Sequence, residues 1–250
     1  MTTIVKLGGS VVTEKDQPET VDDETLDRVG AAIGEAITRE SPTDLVVVHG
    51  GGSFGHHHAA AHGVSTTDGT HDTTAIRAIH RAMVTLNDAV LDALAEHGVD
   101  GVPVHPLSCA LYESGDALSV PTSHVSGMLS EGFVPVLHGD VITHERKGAT
   151  VVSGDDIVAA LARSLSATRV GLCSTVPGVL DDNGDVIPTI TAYEDVATTL
   201  GASEATDVTG GMARKVQTLL GLDTPASIFG PTDLDAFLAG SNPGTLVHRE

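Results

Sequence analysis

Two rhythms of apolar residues run through the chain. Short continuous runs stand at Thr3–Leu7, Leu45–Val48, Val102–His105, Val134–Leu137 and Arg169–Cys173, and shorter ones at Ile228–Phe229 and Thr245–Val247. Runs without polar alternation read as strands buried on both faces. Between them lie stretches with apolar residues every three or four positions, which read as helices. Asp22–Arg39 opens on acidic residues. His71–His97 carries Ile76, Ile79, Met83, Leu86, Val90, Leu91 and Leu94 on such a spacing, and Asp155–Leu165 is a third helix. Strands separated by helices predict an α/β fold with a mostly parallel sheet covered on both faces. The turn-rich segment Asp181–Pro188 reads as an exposed hairpin or loop. No repeat, low-complexity tract or break in composition divides residues 1–250.

Charge narrows the partners. Thirteen Lys+Arg against 34 Asp+Glu give −21, which repels phosphate backbones and argues against nucleic acid. The acidic residues are scattered rather than gathered in a tail, and 40% hydrophobic residues suffice for a core. High acidity, few lysines and 2% aromatics resemble proteins of halophilic archaea with salt-rich cytoplasm. Cys109 and Cys173 lack C-x-x-C spacing and read as small buried hydrophobes. Met1–Val12 does not read as a signal peptide, and no apolar run approaches the roughly 20 residues of a membrane span, so a cytoplasmic location is expected.

Three glycine motifs carry the chemistry. Lys6-Leu7-Gly8-Gly9-Ser10 ends the first strand, with Lys15 shortly after. His49-Gly50-Gly51-Gly52-Ser53-Phe54-Gly55-His56 ends the second, with a helix expected to start near Gly55. Asp207-Val208-Thr209-Gly210-Gly211 opens a helix that carries Lys215 one turn in. Glycines after a buried strand let the backbone approach an anion, and a helix N-terminus favours negative charge. The chain has four lysines, Lys6, Lys15, Lys147 and Lys215, and three lie in or beside these loops. The P-loop pattern G-x-x-x-x-G-K-[ST] does not occur. His56-His57-His58 with His62 lacks acidic or Cys partners and the H-E-x-x-H pattern, so these read as surface or pocket-lining histidines and no metal site is assigned. Ser153-Gly154-Asp155-Asp156 reads either as a serine-capped helix start or as the junction of two ligand sites.

Taken together, K-L-G-G-S, H-G-G-G, G-D-D and D-V-T-G-G-M-x-x-K occur in the order shown by the amino-acid-kinase superfamily, across nearly the whole chain. Within it, H-G-G-G-S-F-G-H resembles isopentenyl phosphate kinases, in which a histidine at the place of His56 holds the acceptor phosphate. The resemblance implies a three-layer α/β/α sandwich, a homodimer, and ATP with Mg²⁺ as donor to isopentenyl phosphate. It divides the single domain into an acceptor lobe to about residue 165 and a nucleotide lobe from about 166 to 250. It makes Lys6, Lys15 and His56 catalytic. Lys6, Gly8, Gly9, Ser10, Gly52, Ser174, Thr175, Gly178, Gly211 and Lys215 would bind the nucleotide. Gly50, Gly51, Gly55, His56, Gly154 and Asp155 would hold the acceptor, with Gly52 shared between the two. Ser174–Leu180 resembles the family's nucleotide turn T-D-V-x-G-V-Y, but with Thr175 for the aspartate and Leu180 for the tyrosine.

A phosphate acceptor is already anionic, so the task is to bring two anions together, by positioning and electrostatics rather than a strong base. Rival acceptors on this fold are acetylglutamate, glutamate, carbamate, uridylate and fosfomycin, and a rival of another class is a non-catalytic nucleotide-sensing module. His56 favours a phosphate or phosphonate acceptor, and three retained lysines argue against the sensing module. Ile76, Ile79, Met83 and Leu86 are available as walls for a short isoprenoid tail or as plain core.

Overall fold

Strand β1 (Thr2–Leu7) lies inside an eight-stranded sheet with β2 (Asp44–His49), β3 (Gly101–Val104), β6 (Val134–His138), β9 (Arg169–Cys173), β10 (Thr189–Ile190), β11 (Ala226–Phe229) and β12 (Thr245–Val247). The computed structural model describes residues 1–38, 44–120, 122–197, 199–200 and 211–249. The strand order is β10-β12-β11-β9-β1-β2-β6-β3. Every pairing is parallel except β11 with β12. From β1 the chain builds outward first through β2, β6 and β3, then on the other side through β9 and β11. Such a reversal point opens a crevice beyond the carboxyl ends of the strands. The register brings those ends level: Leu7 pairs with His49 and Cys173, and His49 pairs with His138.

Side chains alternate across the sheet and fill two cores. Ile4, Val46, Val48, Leu137, Val170 and Leu172 face helix α6 (Gly154–Ser164) and helix α7 (Gly211–Leu220). Val5, Leu7, Val47 and Val136 face α2 (Asp23–Ile37), α4 (Thr73–Glu96) and α8 (Leu234–Leu238). This is the three-layer α/β/α sandwich. The same alternation puts Lys6 on the α6 face, at the top of the strand.

The helix starts follow their caps. Asp22 accepts from the Thr25 amide, Asp72 from the Thr74 amide and Ser153 from the Asp156 amide, each cap worth about 1 kcal/mol. One start differs from expectation. Helix α3 runs Gly52–Ala61 with Gly51 as its cap, rather than starting near Gly55. Gly52 takes φ +49°, and the Thr13 hydroxyl lies 2.2 Å from where its Cβ would be, so only glycine can make this first turn.

The sequence pattern did not reveal a second sheet, of β4 (Leu111–Tyr112), β5 (Leu118–Ser119), β7 (Asp140–His144) and β8 (Gly148–Val152), ordered β5-β4-β7-β8. Two of its strands have two residues each, too short for any period to show. A short helix, α5 (Ser123–Ser130), and the four-residue α1 (Gly9–Val12) were also not foreseen. Residues Asp181–Pro188 do form a tight turn, with the Asp181 amide donating to Asp185 and a bridge between Leu180 and Val186.

Candidate active site

The glycine loops after β1 and β2 are locked together, backbone against backbone. A Cβ on Gly9 would lie 2.3 Å from the Gly52 nitrogen, and one on Gly50 would lie 2.6 Å from the Gly9 nitrogen. Each turn is also tied to its neighbour strand. The Gly8 amide donates to Cys173 O at 2.9 Å, Gly50 to Leu7 O at 2.9 Å, Gly139 to His49 O at 2.9 Å, and Ser174 to Phe229 O at 2.8 Å. Ser10 follows on α1 and is exposed.

Lys6 reaches across to α6. Its Nζ donates to Asp155 Oδ1 at 2.7 Å, and the two side chains are only 8% and 17% exposed. Gly154 makes room for this: a Cβ there would sit 3.2 Å from Lys6 Cε. Burial opposes the Asp155 charge, but the charges of Lys6 and Lys215, the Lys6 hydrogen bond and the Arg214 charge together hold its carboxyl below the ordinary value. Lys6 from β1 and Lys215 from α7 therefore act on one carboxylate, though they stand 209 positions apart in sequence (215 − 6).

The adjacent Asp156 has a different task. It accepts from Ser153 Oγ at 2.7 Å, from Arg214 Nη2 at 3.0 Å and from the Tyr112 hydroxyl at 3.4 Å. Burial, reinforced by the Asp156 charge, pushes the Tyr112 hydroxyl pKa well up, so it stays a donor. The cap reading of this segment holds, since Ser153 caps the helix, and Asp155 is turned to the lysines.

Lys15 is exposed in the loop between α1 and α2. The base of that loop is pinned to both glycine turns, because Thr13 Oγ1 donates to Gly9 O and accepts from the Ser53 amide. Its far side is tied to α3 by Glu19 and His58, 2.9 Å apart. His56 is exposed on the second turn of α3, past the glycine loop. Gly51 and Gly55 pack on α4: Cβ atoms there would lie 3.4 and 2.8 Å from Met83 Sδ. Packing accounts for Gly55, and Met83 is core rather than an open wall. Ile79 and Leu86 are fully buried too. Ile76 instead edges a small cluster of Val64, Ala75, Ile79, Val141 and Ala149 between α4 and the second sheet.

Ser174, Thr175 and Gly178 follow β9. Thr175 is exposed, and Gly178 is buried against Val186 and Thr245, while the Val179 amide donates to Thr245 Oγ1. Gly211 begins α7, and Asp207–Gly210 lie outside the described residues. Lys147 stands apart on the β7–β8 hairpin with Asp116. Burial pushes the Cys173 thiol up to about 12, in keeping with an inert buried residue.

A chain of histidines behind the β2 loop escaped the sequence reading. His49 and His138 are fully buried and stacked 5.5 Å apart. His105 Nδ1 lies 2.9 Å from His138 Nε2, and His80 Nδ1 lies 2.8 Å from Asp140. The signal was present as a repeated His-Gly at the ends of two buried runs. Burial holds His49 below its ordinary pKa and His138 well below. The unfolded chain therefore binds more protons below about pH 6.5, and stability falls as pH drops through that point. His138→Gln is expected to flatten the decline in unfolding free energy between pH 6.5 and 5 by about 1.4 kcal/mol per pH unit. Denaturant titrations at several pH values check this, and an unchanged slope removes His138 as a buried neutral ring.

The sequence profile of the amino acid kinase family matches residues 1–222. The chain belongs to that family. It is 62% identical to isopentenyl phosphate kinase of Haloferax volcanii over 248 residues, 99% of this chain and 98% of the relative. Isopentenyl phosphate kinase of Methanocaldococcus jannaschii is 34% identical over 226 residues, 86% and 85% of the two chains. A solved isopentenyl phosphate kinase superposes with a TM-score of 0.84 at 28% identity, covering 99% of this chain and all of the other. No helix among the described residues is long and apolar enough to cross a membrane. The family members therefore match this chain in sequence and in fold, from the first glycine loop through the helix bearing Lys215.

Proposed function

We propose that the chain transfers the γ-phosphoryl group of ATP to isopentenyl phosphate, giving isopentenyl diphosphate and ADP for isoprenoid biosynthesis. One observation carries this reading: two interlocked glycine loops at the reversal point of the sheet, with the Lys6–Asp155 pair and Lys215 converging beside them. A phosphate oxygen of the acceptor attacks the γ-phosphorus while its bond to the β–γ bridging oxygen breaks. The acceptor oxygen is already deprotonated, so no general base is required.

In this reading Lys6, Gly8, Gly9, Ser10, Gly211 and Lys215 receive the ATP phosphates, with Ser174, Thr175 and Gly178 toward the nucleoside. Asp155 fixes Lys6, so that its cation is set before substrate arrives. Gly50, Gly51, Gly154 and His56 hold the acceptor phosphate, and Lys15 on its anchored loop steadies the transferring group. The lobe boundary near residue 165 then falls between the strands on either side of β1.

Asp155 and Asp156 each already hold a cation, and among the described residues no group of three His, Cys, Asp or Glu could hold a metal. Mg²⁺ fits here as a companion of the nucleotide's own phosphates, where it would neutralise charge on the transferring group. We also infer a homodimer in the cytoplasm; the salt-loving habitat is supported by the −21 charge and the Haloferax relative.

His56→Ala tests the acceptor assignment. It is expected to raise the KM for isopentenyl phosphate at least tenfold, with the ATP KM little changed, in steady-state assays varying each substrate. An unchanged acceptor KM removes His56 from the site. Lys15→Ala is expected to keep nucleotide binding, read by calorimetry, and to lose most turnover; equal loss of both contradicts a role in the transition state.

A further inference from the structure

We propose that His49 is a positioning residue for the acceptor-phosphate loop: its Nδ1–H holds the Gly50 carbonyl turned into the protein, which aims the Gly51 N–H at the acceptor. This rests on the reading of that loop as the acceptor site. His49 Nδ1 lies 3.1 Å from Gly50 O, and the residue is fully buried at the end of β2. The described chain has no cis peptide. In a trans peptide the carbonyl and the next N–H point opposite ways, so fixing Gly50 O inward fixes the direction of the Gly51 N–H. Glycine has no Cβ to limit this peptide, and without an outside anchor it could rotate.

The device occurs twice, side by side. His138, the register partner of His49, places Nδ1 2.9 Å from Gly139 O. The Gly139 amide in turn donates to His49 O, and a Cβ on Gly139 would lie 3.9 Å from the Gly51 nitrogen. Two His-Gly pairs on neighbouring strands therefore brace one patch of backbone.

Asn87 completes the support. Its Oδ1 lies 3.1 Å from His49 Nε2, while its buried Nδ2 has no partner. With acceptors at both nitrogens the ring would have to be a buried cation stacked on a second imidazole. A half-turn of the amide removes both difficulties. Nδ2 then donates to an unprotonated Nε2, and the single ring proton stays on Nδ1, facing Gly50.

The test exploits the two ring nitrogens separately. In His49→Asn the amide nitrogen falls near the place of Nδ1 and can still donate to Gly50 O. In His49→Gln it falls near the place of Nε2 and cannot. His49→Asn is expected to keep the isopentenyl phosphate KM within about threefold of the parent, and His49→Gln to raise it at least tenfold, the ATP KM being unmoved in both. Equal acceptor KM values in the two variants, or a parallel change in the ATP KM, overturn the proposal. Nitrogen-15 NMR of the unsubstituted protein gives a readout independent of activity and of variant folding: an Nδ1–H tautomer at His49 is expected, and an Nε2–H tautomer overturns it. Should the parent enzyme phosphorylate a different acceptor, the substrate reading fails alone, and the same comparison with that acceptor still decides the role of His49.

Discussion

Lys6→Met is expected to lower kcat/KM by about 10²–10³, the loss found when one preorganised donor to a developing charge is removed. It should also destabilise the fold, because it strands Asp155. The carboxylate is 17% exposed and its charge is sustained against burial chiefly by Lys6. Breaking a buried pair by removing one partner costs about 3–5 kcal/mol, much of it the cost of an uncompensated charge. The second half of the prediction separates the two effects. Lys6→Met with Asp155→Leu removes both charges and should recover most of the stability in denaturant unfolding. It should recover none of the activity in steady-state assays. Activity returning with stability would make the pair a structural fastener only.

Gly9→Ala is expected to be comparably severe for another reason. Its methyl would lie 2.3 Å from the Gly52 nitrogen and 2.7 Å from the Gly52 Cα, both backbone atoms that cannot swing aside. Ordinary contact requires the loops after β1 and β2 to part by about 1 Å, and a misplacement of that size costs on the order of 10²-fold in rate. Gly127→Ala on α5 is the control. Nothing lies within 4 Å of its Cβ position, and an exposed helix interior favours alanine over glycine by about 0.5–1 kcal/mol. Thermal unfolding and kcat/KM of both variants check the contrast. A Gly9→Ala protein with parental activity would mean that the loops need not touch.

These expectations separate what a chain displays locally from what pairing creates. The Thr3–Leu7 and Leu45–Val48 runs, their glycine ends and the three lysines near glycines are local features, and they were legible. So was the α/β/α layering, because buried parallel strands and amphipathic helices carry distinct periods. The partnership of Lys6 with Asp155 was not, since it depends on α6 docking against β1. Asp155 read equally well as a helix-start carboxylate, which its neighbour Ser153 shows was half the answer. The second sheet escaped because Leu111–Tyr112 and Leu118–Ser119 gain meaning only from the hairpin beside them. His49 escaped because its role comes from register with His138 and from Asn87, a polar residue on the apolar face of α4.

The most direct measurement is ADP release by the purified protein with Mg²⁺–ATP in molar KCl, comparing isopentenyl phosphate with acetylglutamate, carbamate, uridylate and fosfomycin. The account predicts turnover with isopentenyl phosphate and background rates with the others. Turnover only with another acceptor would contradict it, leaving the fold and the lysine–aspartate arrangement but overturning the reading of the loop from Gly50 to His56.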